Sequence, residues 1–145
     1  MVEKKNAKYF IFKDKPDLKL PSYRHPLDPQ SIKRVVHLDA DVVPGAKFYC
    51  ESAWILPGAQ SKPRQNWVDA HTHKWAEFMG FFGFNFDNIH DLGAEIELTI
   101  DGEKHLITES FAAFIPAGIT HCPLRIKNVK RPIFHFTAGP CAIYE

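Results

Sequence analysis

The chain is poor in several things that would each point to a class of protein. It has three cysteines, Cys50, Cys122 and Cys141. An odd, sparse set does not build a disulfide framework, so a reducing, cytoplasmic compartment is the expectation. It has almost no net charge, with 18 Lys and Arg against 17 Asp and Glu. Nucleic-acid and anionic-membrane binders carry a marked basic excess, so neither partner is expected. No apolar run approaches the roughly 20 residues that span a bilayer, and MVEKKNAKYF at the start has no signal-peptide apolar core. Repeats and low-complexity tracts are missing, as is any amphipathic helical pattern of useful length. The 145 residues are about one ordinary domain.

What remains is a pattern of short strands. Residues 1–34 are polar and broken by Pro16, Pro21, Pro26 and Pro29, which forbid a long helix. They read as an N-terminal arm laid across something else, a partner subunit being one option. Within the arm, Tyr9–Phe12 is a short apolar run of strand type, and residues 35–145 make the domain proper. Strands are expected at Val35–Leu38, Lys47–Leu56, Lys104–Thr108, Phe111–Ile115, Leu124–Ile126 and Pro132–Thr137, with His71–Phe82 as an aromatic-rich extended run. Residues 95–100 alternate polar and apolar, the mark of a half-buried strand. Asp101-Gly102 after them is a preferred two-residue hairpin turn. Residues 59–69 and 84–93 read as loops. The sum is an all-β domain, an antiparallel β-barrel or jelly-roll (double-stranded β-helix) behind an N-terminal arm.

The chain has eight histidines, and their spacing is informative. His71, His73 and Glu77 stand at i, i+2 and i+6, which puts all three on one face of a strand. On a helix they would fall about 200° and 240° around from the first. Imidazoles with a carboxylate are a recurrent divalent-metal set. An isolated His-x-His more often marks a solvent-facing strand. Here Trp75, Met79 and Phe81 share the face, which suggests a lined cavity where a cation would offset the cost of a buried carboxylate. A second element is Pro116-Ala117-Gly118-Ile119-Thr120-His121, a tight turn delivering a histidine.

These two elements, in this order, resemble the cupin motifs. The first reads Pro57-Gly58, His71-Thr72-His73, Glu77, Gly83, and the second Pro116 to His121. The likeness covers about residues 45–138. It implies a small β-barrel holding one metal on His71, His73, Glu77 and His121, and pairing of chains in dimers. The sequence departs from that pattern at an insertion over residues 59–70, at Ser110 in place of a glycine and at Arg125 in place of an asparagine. None of these removes a ligand.

With four ligands from the protein, an octahedral ion such as Fe, Mn, Ni or Co would keep two positions for water, O₂ or a chelating organic molecule, whereas Zn would close the site. The expectation is one divalent transition metal per chain. The function expected is a metal-dependent enzyme of oxygenase, decarboxylase, isomerase or lyase type acting on a small oxygen-rich molecule. The alternative is a non-catalytic small-molecule or metal-binding module or sensor. Arg125, four residues after His121, is a candidate anchor for a substrate carboxylate, and Trp75 and Phe81 are candidate walls. His135, Tyr49 and Tyr23 are the only acid-base candidates, and Cys122 reads as a plain buried thiol. Lys62 and Arg64 in the insertion are conceivable lid residues. The exposed apolar run in the arm favours a homodimer.

Overall fold

The computed structural model describes residues 2, 4–26, 28–62 and 65–144; Arg64 lies outside them. Alternation of side chains decides the architecture. In β2 (Tyr49–Ile55) the odd-numbered residues are buried and the even-numbered ones half-exposed. In β8 (Ile133–Gly139) the same holds from Ile133 to Gly139. In β4 (Asp91–Ile100) Leu92, Ala94, Ile96 and Leu98 turn inward. β2, β4 and β8 therefore each turn one face inward, and two such faces meet to leave water. Each of the larger aliphatic side chains so buried contributes about 1.5–3 kcal/mol.

Among the described residues eight strands result, all paired antiparallel. The others are β1 (Ile32–Leu38), β3 (Glu77–Gly83), β5 (Glu103–Glu109), β6 (Phe111–Ile115) and β7 (His121–Lys127). They form a five-stranded sheet in the order β1-β2-β8-β3-β6 and a three-stranded sheet in the order β5-β4-β7. The two sheets enclose a core that includes Ile55, Phe81, Ile96, Leu98, Leu124 and Ile133. The all-β jelly-roll expectation holds, as a two-sheet sandwich not closed into a barrel. The β4–β5 hairpin turns on Asp101 and Gly102, both with positive φ (48° and 78°), the conformation that the Asp-Gly pair favours.

The arm adds to the edge of the smaller sheet. Single bridges run from Leu124 to Val68 and from Val68 to Arg24, continuing the small sheet past β7. Arg24 and Arg34 both bind the buried Glu51, at 2.8 and 3.1 Å, and Arg34 also holds Asp14. Residues 14–25 are thus tied to their own chain. The strand expected at Tyr9–Phe12 is not formed. A single 3-10 turn, Ala7–Tyr9, stands there, and Tyr9, Phe10 and Phe12 are exposed.

Gly83 ends β3 where it meets the start of β4. A Cβ there would run into the Asp91 carbonyl and the Leu92 backbone. Backbone on both sides cannot yield as a side chain would, so Gly83→Ala should cost about 3 kcal/mol, at the upper end for overpacking. A urea melt compared with the parent chain checks this.

Candidate metal centre

The four residues His71, His73, Glu77 and His121 come together, but not as a single strand face. The chain bends at Lys74 and Trp75, and β3 begins only at Glu77. His71 pairs instead with His121, the first residue of β7, through two backbone hydrogen bonds of 3.0 Å. The Gly118 amide donates to the His73 carbonyl at 2.8 Å, which fixes the Pro116–Ile119 turn beside the first motif. Gly118 has φ +81°, a region that L side chains rarely adopt.

The potential ligand atoms of the four side chains all lie within 4.8 Å of one another. Glu77 Oε2 is 2.9 Å from His73 Nε2 and 3.4 Å from His121 Nε2. His71 Nε2 is 3.0 Å from His73 Nε2. His73, Glu77 and His121 are buried, and His71 is half-buried. The outer nitrogens set the tautomers. His71 Nδ1 sits 2.8 Å from the Asp69 carbonyl and His121 Nδ1 3.0 Å from the Ile119 carbonyl. A carbonyl accepts only, so each Nδ1 carries a proton, and in the neutral ring that leaves Nε2 to present its lone pair inward. His121 Nε2 and Glu77 Oε2 have no well-aligned hydrogen-bond donor. Lone pairs converging at this range fit a cation, and the carbonyl-held imidazoles match the usual support of metal-binding histidines.

The electrostatics agree. Burial, with His121 and His73 nearby, pulls His71 down to about 4. Burial opposes ionisation of Glu77, yet the contacts with His121 and His73 outweigh it and bring the carboxyl to about 2. At neutral pH the cluster is therefore a carboxylate with at least His71 neutral, which are the ligand forms of those groups.

Trp75 stacks on His73, with centroids 4.0 Å apart and planes at 17°, and so forms a wall of the cluster. Tyr23 from the arm stacks on His71 at 3.8 Å. Tyr144 from the C-terminal tail lies 6.0 Å from His73 and carries Arg24 over its ring at 5.7 Å. Arg24, Tyr144 and Thr137 join His71, Glu77 and His135 around an inner cavity of about 30 Å³. That is room for about one water. A second cavity of about 320 Å³ lies under the arm and shares Arg24, Glu51, Trp67 and His135 with the first. A larger surface cleft beside Arg131 does not reach the cluster.

Two sequence expectations need correction. Arg125 is not beside the cluster. Its guanidinium donates to the carbonyls of Gln65 and Lys62, at 3.0 and 3.1 Å, and so pins the 59–70 insertion. Counting four residues from His121 fails because Cys122 adopts φ +69° and the β4–β7 register slips beside it, so His121 and Cys122 are both buried. Phe81 is fully buried in the core and stacks on His135 at 4.1 Å, not on the cavity wall. Arg24, Glu51, Thr137 and Tyr144 were not found from sequence. Arg24 sits in a proline-broken arm and Tyr144 in a tail, and neither segment has a periodicity that points inward.

His135 lines the inner cavity, with Nδ1 held 2.8 Å from the Gly80 carbonyl. Burial is the main reason its pKa falls to about 4. An unfolded histidine titrates near 6.5, so the folded state takes up its proton later than the unfolded one. Stability is therefore full above about pH 6.5 and drains as pH falls toward 4, on the order of 3 kcal/mol from this group. In His135→Phe the melting temperature should depend less on pH across that window, a difference that thermal scans at a series of pH values would show.

No protein-family model matches the sequence, and no curated protein matches it. Solved structures do. A cupin protein from Bacteroides fragilis is 19% identical over 85% of this chain and 87% of its own, with a TM-score of 0.46. A predicted oxalate decarboxylase from Thermotoga maritima is 15% identical over 76% and 80%, with a TM-score of 0.47. Peruvianin-I, a cysteine peptidase from Thevetia peruviana latex, is 12% identical over 86% and 69%, with a TM-score of 0.50. At these identities the likeness bears on the fold alone. No helix among the described residues is long and apolar enough to cross a membrane.

Proposed function

We propose that the chain binds one divalent transition metal through His71, His73, Glu77 and His121 and acts, as a homodimer, on a small oxygen-rich organic molecule. The observation that carries this is the convergence of lone pairs: two imidazoles are locked by backbone carbonyls to point Nε2 inward at a buried carboxylate. A bound metal would supply Lewis-acid chemistry, polarising a carbonyl or stabilising an enolate or carboxylate. Glu77 lowers the net charge of the site, and Trp75 and Tyr23 hold the imidazoles of His73 and His71 in plane. Oxygenation, decarboxylation, isomerisation and lyase reactions all suit this arrangement. The odd, sparse set of three cysteines fits a reducing, cytoplasmic setting.

A specific observation favours a second reading, a non-catalytic metal or small-molecule binding module. The cavity next to the cluster has room for about one water and is lined by Arg24 and Tyr144, with Tyr23 stacked on His71 beside it. Elemental analysis of untagged protein, followed by titration with Fe, Mn, Ni, Co and Zn, tests the shared part of both readings. One metal per chain supports the site, and failure to take up any of them removes it. Turnover of hydroxy acids, diketones or enediols by the loaded protein then selects the enzyme, and tight binding without turnover selects the module.

A further inference from the structure

The segment that follows β8 carries one ring deep into the domain. Residues 140–144 form no strand or helix, and Pro140, Ala142 and Ile143 are exposed. The Ala40 amide donates to the Ala142 carbonyl at 2.9 Å and ties the segment to the end of β1. An irregular segment with exposed side chains opens at little cost. Tyr144, by contrast, turns inward. Its ring lies 4.7 Å from Tyr49, 5.9 Å from Trp75 and 6.0 Å from His73. Arg24 stands over it at 5.7 Å, and Tyr23 meets it edge-on at 6.5 Å. The arm, β2 and the first motif thus build a socket of aromatic faces and one cation, which suits a planar ring.

The socket adjoins the candidate metal centre. Tyr144 lines the inner cavity together with His71 and Glu77, and with the ring seated only about 30 Å³ is left there. Two polar atoms beside the ring go unsatisfied. Tyr49 Oη and His37 Nδ1 are buried with no well-aligned hydrogen-bond partner among the described residues. Both belong to rings that neighbour Tyr144, at 4.7 and 6.5 Å. Buried polar atoms as a rule find a partner, and the carbon edge of a phenol ring supplies none. An oxygen carried into the socket would.

We propose that Tyr144 is a displaceable gate that decides what reaches the metal centre. Its ring occupies the place of the organic ligand, and a phenolic ring bearing a second oxygen takes that place when segment 140–144 swings out. The inference deepens the metal reading above and rests on it. The closed, water-sized cavity is then one position of the gate and not the shape of the site in use. A tethered ring competes with every free ligand, so the apparent affinity of the wild type is the intrinsic affinity reduced by the fraction of open gate.

The probe is 4-methylcatechol, the tyrosine side chain with one further hydroxyl, used without oxygen on the full chain, both metal-free and loaded with Ni. Tyr144→Ala vacates the socket and should bind it about ten-fold more tightly than the wild type, or better, by calorimetry. In the wild type, saturating probe should speed hydrogen exchange of the Ala40 amide by about ten-fold or more, because the Ala142 carbonyl that protects it leaves with the gate. Ile143→Ala, an exposed change in the same segment, should bind the probe as the wild type does. The exchange measurement uses the unaltered chain and decides the matter if Tyr144→Ala does not fold. Equal affinity in Tyr144→Ala and the wild type, or binding to neither, overturns the proposal. So does an Ala40 amide whose exchange saturating probe leaves unchanged. A wild type that takes up no Ni removes the metal reading instead, and the affinity ratio and the Ala40 amide of the metal-free chain still decide the gate.

Discussion

Glu77→Ala should emerge from purification with little or no transition metal and should no longer be stabilised by adding it. Glu77 is the only acidic member of the cluster, is buried, and stands within 3.4 Å of two imidazole nitrogens. Loss of a mere supporting partner of a ligand costs 10–100-fold in metal affinity, so loss of the carboxylate itself should cost about a hundred-fold or more. The melting temperature gives the cleanest reading. A metal that binds only the folded chain stabilises it by about 2.7 kcal/mol at a hundred times its dissociation constant, so the wild-type midpoint should climb as metal is added and that of Glu77→Ala should not. His121→Ala should behave in the same way, because its Nδ1 is held by the Ile119 carbonyl and only Nε2 faces the centre. Wild-type metal content in either variant would remove this cluster as the metal site.

Glu51→Ala should be the most destabilising change outside the cluster, about 3–5 kcal/mol. Glu51 is buried and holds two guanidinium groups, Arg24 at 2.8 Å and Arg34 at 3.1 Å. Burial alone would raise its pKa, but the two arginines hold it below the usual carboxylate range. The pair's contribution is therefore present at neutral pH and lost as pH falls below that range. Without the carboxylate Arg24 stays buried and unpaired, and the arm loses the anchor that positions Tyr23 on His71. For a chain of this size the midpoint should fall by on the order of 10 °C. Replacing Arg24 by Met and Glu51 by Leu together should recover much of that loss, since breaking a buried pair costs more than removing it whole. A double variant as unstable as Glu51→Ala would count against this account.

The strands were legible wherever a period of two met a turn signal. Phe111–Ile115 is formed with the expected bounds. The 95–100 run lies in β4, with Ile96 and Leu98 inward and the Asp101-Gly102 turn after it. Period two fails where the backbone leaves the extended region. At Cys122, with φ +69°, it turned Arg125 away from the cluster, and at the bend of Lys74 and Trp75 it broke the strand expected through His71 to Phe82. Alternation also cannot say which of two apolar faces lies inside. In β3, Phe78 and Phe82 alternate with Met79 and Phe81, and only the packed sheets show the first two outside and the last two within.

The sequence by itself determined the all-β class and most strand positions, because those rest on local spacing, and its resemblance to the cupin motifs named the four residues that meet at the candidate metal centre. Only the tertiary structure decided what surrounds them. Tyr23, Arg24 and Tyr144 reach the cluster from opposite ends of the chain. Contacts between residues distant in sequence depend on how strands are ordered in the sheets, and no local pattern encodes that order.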